Sequence, residues 1–414
     1  KLIDWLDRAA PPFHDAAQYQ LLTGIYREAV GILEESLGKD HPAVATALDQ
    51  TALLLRIRGN YPEAETLGRR ALAILEAKLG PDHPAVATTL NNLSDVYHCE
   101  CRYPEAEEAC RRALHICEQT RGPLSPEAAT ALNNLASLAS AQGRPTEAEP
   151  LMRRALEGFE QSIGMNEPEL FAPLVGLAGI CDTRGHYAEA EALLKRAIAV
   201  CEKARGPTHP DLAMSLNSLA VLYRNQRRYA EAEPLCRRAL EIREETFGGE
   251  HPGVAASLNN LCLIYHHQGR DGEAEPFCRR ALGIREQTLG PNHRDTATSL
   301  STLALIRQAL GDLAEAETLG RRALAIREES LGPGHPAVAI ALCNLALLCT
   351  AQGRSEQAEA LLRRALSIRE TVLGPEHPLV AEVLDSLAGV VETLGRTDEV
   401  RALRERAEHI RAAR

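Results

Sequence analysis

Histidines stand at positions 41, 83, 209, 251, 293, 335 and 377, all on one register of 42 residues. Imidazole is a common metal ligand, so the series first raises the question of a metal centre. Stacked copies of one unit hold equivalent histidines about 10 Å apart, too far to share an ion. The one tight cluster, "HCEC" at 98–101, has no second cysteine pair at zinc-site spacing and reads as ordinary helix-end residues. The arginine pairs of "RRAL", from Arg69 and Arg70 to Arg363 and Arg364, could grip phosphates. Each copy, however, carries acidic residues such as Glu63 and Glu65, and Glu65 precedes Arg69 by four, the favourable order for an exposed helix pair. These arginines read as a solvated outer face. No Gly-rich phosphate loop, nucleophile elbow or nucleophile–base signature occurs, so the chain is expected to be no enzyme and to hold no metal and no cofactor.

Composition narrows the function classes further. The 414 residues carry a net charge of −11 with no concentrated basic face, which argues against nucleic-acid and membrane-surface partners. No apolar run approaches 18 residues and no charged-then-apolar leader opens the chain, so neither a membrane span nor a signal peptide is expected. The eleven cysteines are scattered without a disulfide or zinc framework, which fits free thiols in a reducing cytoplasm. The first residue is Lys rather than Met, and the chain is expected to be a piece of a longer product.

The elements that must position any site follow from the 42-residue period. Repeats start at 41, 83, 125, 167, 209, 251, 293, 335 and 377 without one insertion, a linear array rather than a string of globular domains. His is replaced by Ser125 and Glu167 in two copies, and Pro follows everywhere except at Arg294. Within each copy, apolar residues at helical spacing, such as Leu90, Leu93, Val96 and Tyr97, mark a first helix. Leucine holds its leading site in all nine copies, Leu48 to Leu384, which should be the core seam. A Gly-containing turn as in "RGNYPEAE" ends that helix, and a second helix follows with alanine rows Ala64–Ala358 and Ala71–Ala407 where helices approach closely. Such a unit is too small to bury its own apolar face and must stack. Residues 1–40 fit as a degenerate capping repeat interrupted by Pro11 and Pro12, and 397–414 as a charged capping helix.

The repeated sentence L-N-N-L-A-x-L-Y-x-x-x-G-x-Y-x-E-A-E-x-L-x-R-R-A-L-x-I-x-E-x-x-L-G-x-x-H-P resembles the tetratricopeptide repeats of kinesin light chains and their bacterial relatives over residues 41–414. The resemblance implies an all-α fold, a right-handed α-solenoid superhelix of helix-turn-helix repeats, and a protein-interaction scaffold that takes an extended peptide in its concave groove. In that family, asparagines at the second of two adjacent first-helix positions contact the ligand main chain, which favours Asn92, Asn134, Asn260 and Asn344. The carboxylate-clamp variant needs Lys or Arg at the asparagine rows and is not expected.

The residues themselves lead to the same face. Sites four and seven apart share a helix face, so 49, 53 and 56 and their equivalents should look into the groove. The first row includes Asn91, Asn133, Asn217 and Asn259, and its neighbour Asn92, Asn134, Asn260 and Asn344. A side-chain amide both donates and accepts, so it can pair with a peptide backbone of any sequence; the competing reading is that these amides only bridge neighbouring repeats. Asp95, Arg56, His98, Arg224 and His266 would read ligand side chains. Repeat four departs from the pattern: Val175 and Gly176 replace both asparagines, Gly179 is added, and Pro173 should kink the first helix or delay its start. One reading is a tolerated irregularity that changes the superhelix curvature; the other is that the two glycines let a ligand or another domain approach closely. The runner-up function is the sensor or regulatory region of a larger bacterial signalling ATPase or protease.

Overall fold

The structure, a computed structural model, describes residues 16–164 and 167–412; among these it contains nineteen α-helices, one short 3₁₀ turn and no strand. The expected interruption at Pro11 and Pro12 lies outside the described residues. The chain forms two compact units, Lys1–Gly206 and Pro207–Arg414. The N-terminal unit runs α1 (Ala16–Leu37), α2 (Pro42–Ile57), α3 (Tyr61–Leu79), α4 (Pro84–Cys99), α5 (Tyr103–Arg121), α6 (Pro126–Ala141), α7 (Pro145–Ile163), α8 (Phe171–Thr183) and α9 (Tyr187–Arg205). The C-terminal unit runs α10 (Pro210–Asn225), α11 (Tyr229–Phe247), α12 (Pro252–His267), α13 (Asp271–Thr288), α14 (Arg294–Ala309), α15 (Leu313–Leu331), α16 (Pro336–Ala351), α17 (Ser355–Leu373), α18 (Pro378–Thr393) and α19 (Thr397–Ala412).

The spaced histidines start the first helices. In all seven, the backbone is extended and Nδ1 accepts the N–H two residues on, at 3.0–3.2 Å, so the ring is a helix N-cap. Ser125 does the same work with its hydroxyl, 3.3 Å from the Ala128 N–H. Proline next to the cap loses nothing, because a first-turn N–H has no helical partner. Where Glu167 replaces the cap residue, a 3₁₀ turn, Pro168–Leu170, comes first and α8 begins only at Phe171. Pro173 thus sits in the first turn, and of its two expected effects the delayed start is the one observed.

In each unit every helix packs on the next, and consecutive first helices from α2 to α8 and from α10 to α16 also touch, giving a stretch of α-solenoid. The leading leucines from Leu48 to Leu384 are all buried, as are both alanine rows, whose missing bulk lets paired helices approach. The outer face is tied by ions. The second arginine of each pair reaches a glutamate one repeat back: Arg112 to Glu76 at 2.7 Å, Arg154 to Glu118 at 2.8 Å, Arg280 to Glu244, Arg322 to Glu286 and Arg364 to Glu328 at 2.6 Å. The first pairs within its own helix, Arg69 to Glu65 at 2.9 Å and Arg279 to Glu275 at 2.8 Å. Each exposed pair contributes only a few tenths of a kcal/mol, about 0.3–0.5 within a helix.

Cysteine pairing departs from expectation. Cys262 and Cys278 form a disulfide with Cα atoms 6.0 Å apart, while nine cysteines stay free. The two residues face each other where α12 crosses α13. The equivalent pair in an earlier repeat is Ser94 and Cys110, joined by a 2.9 Å hydrogen bond from thiol to hydroxyl. A spacing of sixteen residues across a turn hides this proximity from a search for short Cys motifs.

Candidate functional site

The structure separates the two asparagine rows. Asn91, Asn217 and Asn259 are buried, and two of them are engaged by the following repeat: Asn217 Nδ2 donates to Ser257 Oγ and Asn259 Nδ2 to Ser299 Oγ, both at 3.0 Å. Those serines also accept from half-buried Arg243 at 2.8 Å and buried Arg285 at 2.9 Å, whose Nη1 atoms donate to the carbonyls of Gly253 and Asp295 as well. All three amides are thus buried, and Asn217 and Asn259 bridge to the next repeat. Burying an amide demands a partner, and the stacked serine supplies it for Asn217 and Asn259. Asn133 is half-buried and donates weakly to Asn134 Oδ1 at 3.4 Å.

The second row is turned about 100° further round the helix and meets solvent. Asn92, Asn134 and Asn260 are half-buried and Asn344 is exposed. Asn92 also bridges repeats, its Nδ2 2.8 Å from Asp49 Oδ2. Asp49 itself is buried, which pushes its carboxyl up to about 6, against the opposing hydrogen bonds from Asn92 and Thr89.

Charged candidates cluster in the N-terminal unit. Arg56 Nη2 lies 3.6 Å from Asp95 Oδ2, and His98 follows Asp95 by one turn. Burial raises the Asp95 carboxyl above its usual range and lowers His98, while each partially offsets the shift of the other. In the C-terminal unit the counterparts are separately engaged: His266 Nδ1 is 2.6 Å from Asp271 Oδ1, and Arg224 Nη2 donates to Asn225 Oδ1 at 3.3 Å.

Sequence reasoning missed the apolar members of this face. Leu305 and Leu347 occupy the register of Asp95, five and six repeats on, and with Ile340 they are exposed around Asn344, on α14 and α16. The signal was available, since 53, 95, 305 and 347 share one register. The N-terminal unit puts Leu53, Asp95, Ser137 and Gly179 at those sites. Repeat four also changes meaning: a Cβ at Gly176 would come within 2.8 Å of Met152 Cε, so this glycine makes room for a buried methionine, whereas Gly179 faces open space.

Similarities to known proteins follow the same outline. The tetratricopeptide repeat model matches residues 14–77, 52–109, 86–161, 169–232, 254–329, 295–371 and 338–413, and a second model of that description matches 212–253. No curated protein matches the chain significantly. Among solved structures, BtubC from P. vanneervenii is 24% identical over 56% of this chain and 91% of that one, with a TM-score of 0.44. A Podosopora anserina protein named for kinesin light chain, with nearly identical TPR-like repeats, is 29% identical over 50% and 97%, with a TM-score of 0.42. Aspartyl phosphate phosphatase F from Bacillus subtilis is 12% identical over 89% and 94%, with a TM-score of 0.52, a likeness of fold. With the family models spanning most of its length and the helix pairs stacked as that pattern requires, the chain belongs to the tetratricopeptide repeat family.

Proposed function

We propose that the chain is a non-enzymatic interaction scaffold, working in the cytoplasm, that holds an extended peptide or protein segment along the face of its first helices. The observation that carries this reading is the interleaving, in the C-terminal unit, of the solvent-facing amides Asn260 and Asn344 with exposed Leu305, Ile340 and Leu347. Amides pair with a main chain of any sequence, and the apolar side chains between them take up ligand side chains. An extended ligand advances about 3.3 Å per residue, so one repeat of roughly 10 Å spans three ligand residues. The ligand preferred by this unit is thus an apolar segment. The N-terminal face, with Asn134, Asp95, Arg56 and His98, suits a polar one.

Panning a random peptide display library on the purified chain tests the reading, beside a Leu305→Asp/Leu347→Asp variant and an Asn134→Ala/Asn260→Ala/Asn344→Ala variant whose helical circular dichroism matches the parent. Enrichment of apolar peptides on the parent, lost on the aspartate variant and weakened on the alanine variant, is expected. A folded parent that enriches nothing would overturn the peptide-groove reading and leave recognition of a folded partner, or regulation of an attached domain, as the better account.

A further inference from the structure

We propose that repeat four carries a zinc-binding site made of Cys181, His186 and Glu189, at the turn from α8 to α9. A thiol sulfur, an imidazole nitrogen and a carboxylate oxygen from these residues lie within 4.8 Å of one another. Zinc holds sulfur at about 2.3 Å and nitrogen or oxygen at about 2.0–2.2 Å, so donors around one tetrahedral ion are roughly 3–4 Å apart. The set closes on an ion with small side-chain shifts. Cys181 is buried, His186 is exposed and Glu189 is half-exposed, so the ion is reached from solvent and keeps a fourth position for water.

The repeat itself supplies the second observation. At the same register, three other repeats place a tyrosine, an arginine stacked over its ring and a glutamate bound to that arginine. The sets are Tyr97, Arg102 and Glu105; Tyr223, Arg228 and Glu231; and Tyr265, Arg270 and Glu273, with guanidinium-to-ring distances of 4.6, 3.9 and 4.2 Å. Repeat four exchanges both partners at once, ring for thiol and guanidinium for imidazole, and keeps the carboxylate. The exchange leaves this turn with its backbone hydrogen bond, His186 N–H to the Cys181 carbonyl at 2.8 Å, but without the ring-stacked guanidinium of those three repeats. It also falls on the repeat whose first helix is shortest, 13 residues against 16, and whose N-cap makes no side-chain hydrogen bond. A metal bridging the end of α8 to the start of α9 would tie the two helices where the stacked guanidinium does so in those repeats.

The surrounding charges set the terms. Arg153 binds Glu189 at 2.6 Å and Glu149 at 2.7 Å, and Arg184 also binds Glu149. The two arginines are balanced by the two glutamates, and each Glu189 oxygen retains a lone pair beside its bond to Arg153. The Cys181 thiol donates to Glu189 in the metal-free chain, and zinc would take the place of that proton.

The test uses the full chain, stripped with a chelator, kept reduced with a phosphine and titrated with zinc chloride by competition against a chromophoric chelator. Three variants accompany the parent: Cys181→Ala, Cys181→Tyr/His186→Arg, which restores the pair that other repeats carry and so preserves folding, and Cys99→Ala/Cys101→Ala as a control. One zinc per parent chain is expected, weakened about a hundredfold or more in the first two variants and unchanged in the control. Cobalt should give a thiolate-to-metal absorption band in the parent that Cys181→Ala lacks. A folded parent that binds no zinc, or binding retained in Cys181→Tyr/His186→Arg, overturns the proposal.

Discussion

Where a second helix meets the next repeat, the N-terminal unit places Leu75, Cys117 and Phe159, whereas the C-terminal unit places Arg243, Arg285, Arg327 and Arg369 at the same register. The apolar version needs only shape. The charged version needs partners, since burial holds Arg243, Arg285 and Arg327 below the ordinary arginine range. Arg243 and Arg285 each receive a carbonyl and a serine hydroxyl, and the serine is itself held by an asparagine from the repeat before. Arg327 and Arg369 lack the serine, with Ala341 and Val383 in its place; Arg369 still donates to the Leu379 carbonyl, whereas the Arg327 Nη1 is buried without a partner. One fold therefore accepts two kinds of seam, and the polar kind takes up asparagines that a ligand could otherwise have used.

The comparison breaks most sharply if the seams are exchanged. Cys117→Arg should lower stability by about 4 kcal/mol, because Ala131 offers no hydroxyl and the charge is buried short of partners. The reverse change, Arg285→Leu, should cost about 2 kcal/mol through the loss of charge-assisted bonds to Ser299 and the Asp295 carbonyl. Urea unfolding followed by circular dichroism reads both. If Cys117→Arg is tolerated within about 1 kcal/mol, a neighbouring carbonyl alone suffices and the serine–asparagine network is incidental.

Asp49 sharpens the contrast within the first asparagine row, where it is the acidic counterpart of Asn217 and Asn259. Its folded pKa of about 6 lies above the ordinary 3.8, so the folded state binds the proton more tightly. The stability this group contributes is full below about pH 4 and is lost as pH rises through 6. Asp49→Asn should therefore raise stability by on the order of 2 kcal/mol at pH 7.5, leave it nearly unchanged at pH 4, and flatten the profile between. Melting temperatures of parent and variant across that range check the sign; an equal gain at both pH values would mean that ionisation is not the cause.

Completing the unfinished seam gives the smallest effect. Ala341→Ser should add about 1 kcal/mol by giving Arg327 an acceptor, while the same change at Ala131, which faces Cys117 rather than an arginine, should add nothing. A parallel thermal melt of the two variants makes the distinction.

Much of this architecture could be read from the chain before any coordinates. The 42-residue period, the leucine seam, the alanine rows and the turn glycines are local or strictly periodic signals, and each has a direct physical meaning. The His-Pro step was legible as punctuation; that each ring is a cap became visible only with the Nδ1 contacts. The asparagine rows were less legible. Asn91 and Asn92 are adjacent letters, and a rotation of about 100° decides which is buried. Their partners lie some forty residues away, as Ser257 does from Asn217, and no local pattern announces such a bridge. The arginines of "IREE" and "IREQ" resemble surface charges for the same reason, because the hydroxyls that admit them to the interior come from the next repeat.

The outer ladder of ions bears on how such a chain can grow. A repeat before the last presents one glutamate forward and one arginine backward, 36 residues apart, so it carries both halves of the same joint, whereas the last copy keeps Arg406 and ends the series with Ala412. Cutting out one whole period, residues 83–124, would bring Arg154 to face Glu76, with caps, alanine rows and leucine seam still in phase. Unequal recombination in whole periods thus changes the length of the array without inventing a new junction, whereas a change of any other length puts every later joint out of step. The absence of a single insertion across nine copies is what that arithmetic leaves behind.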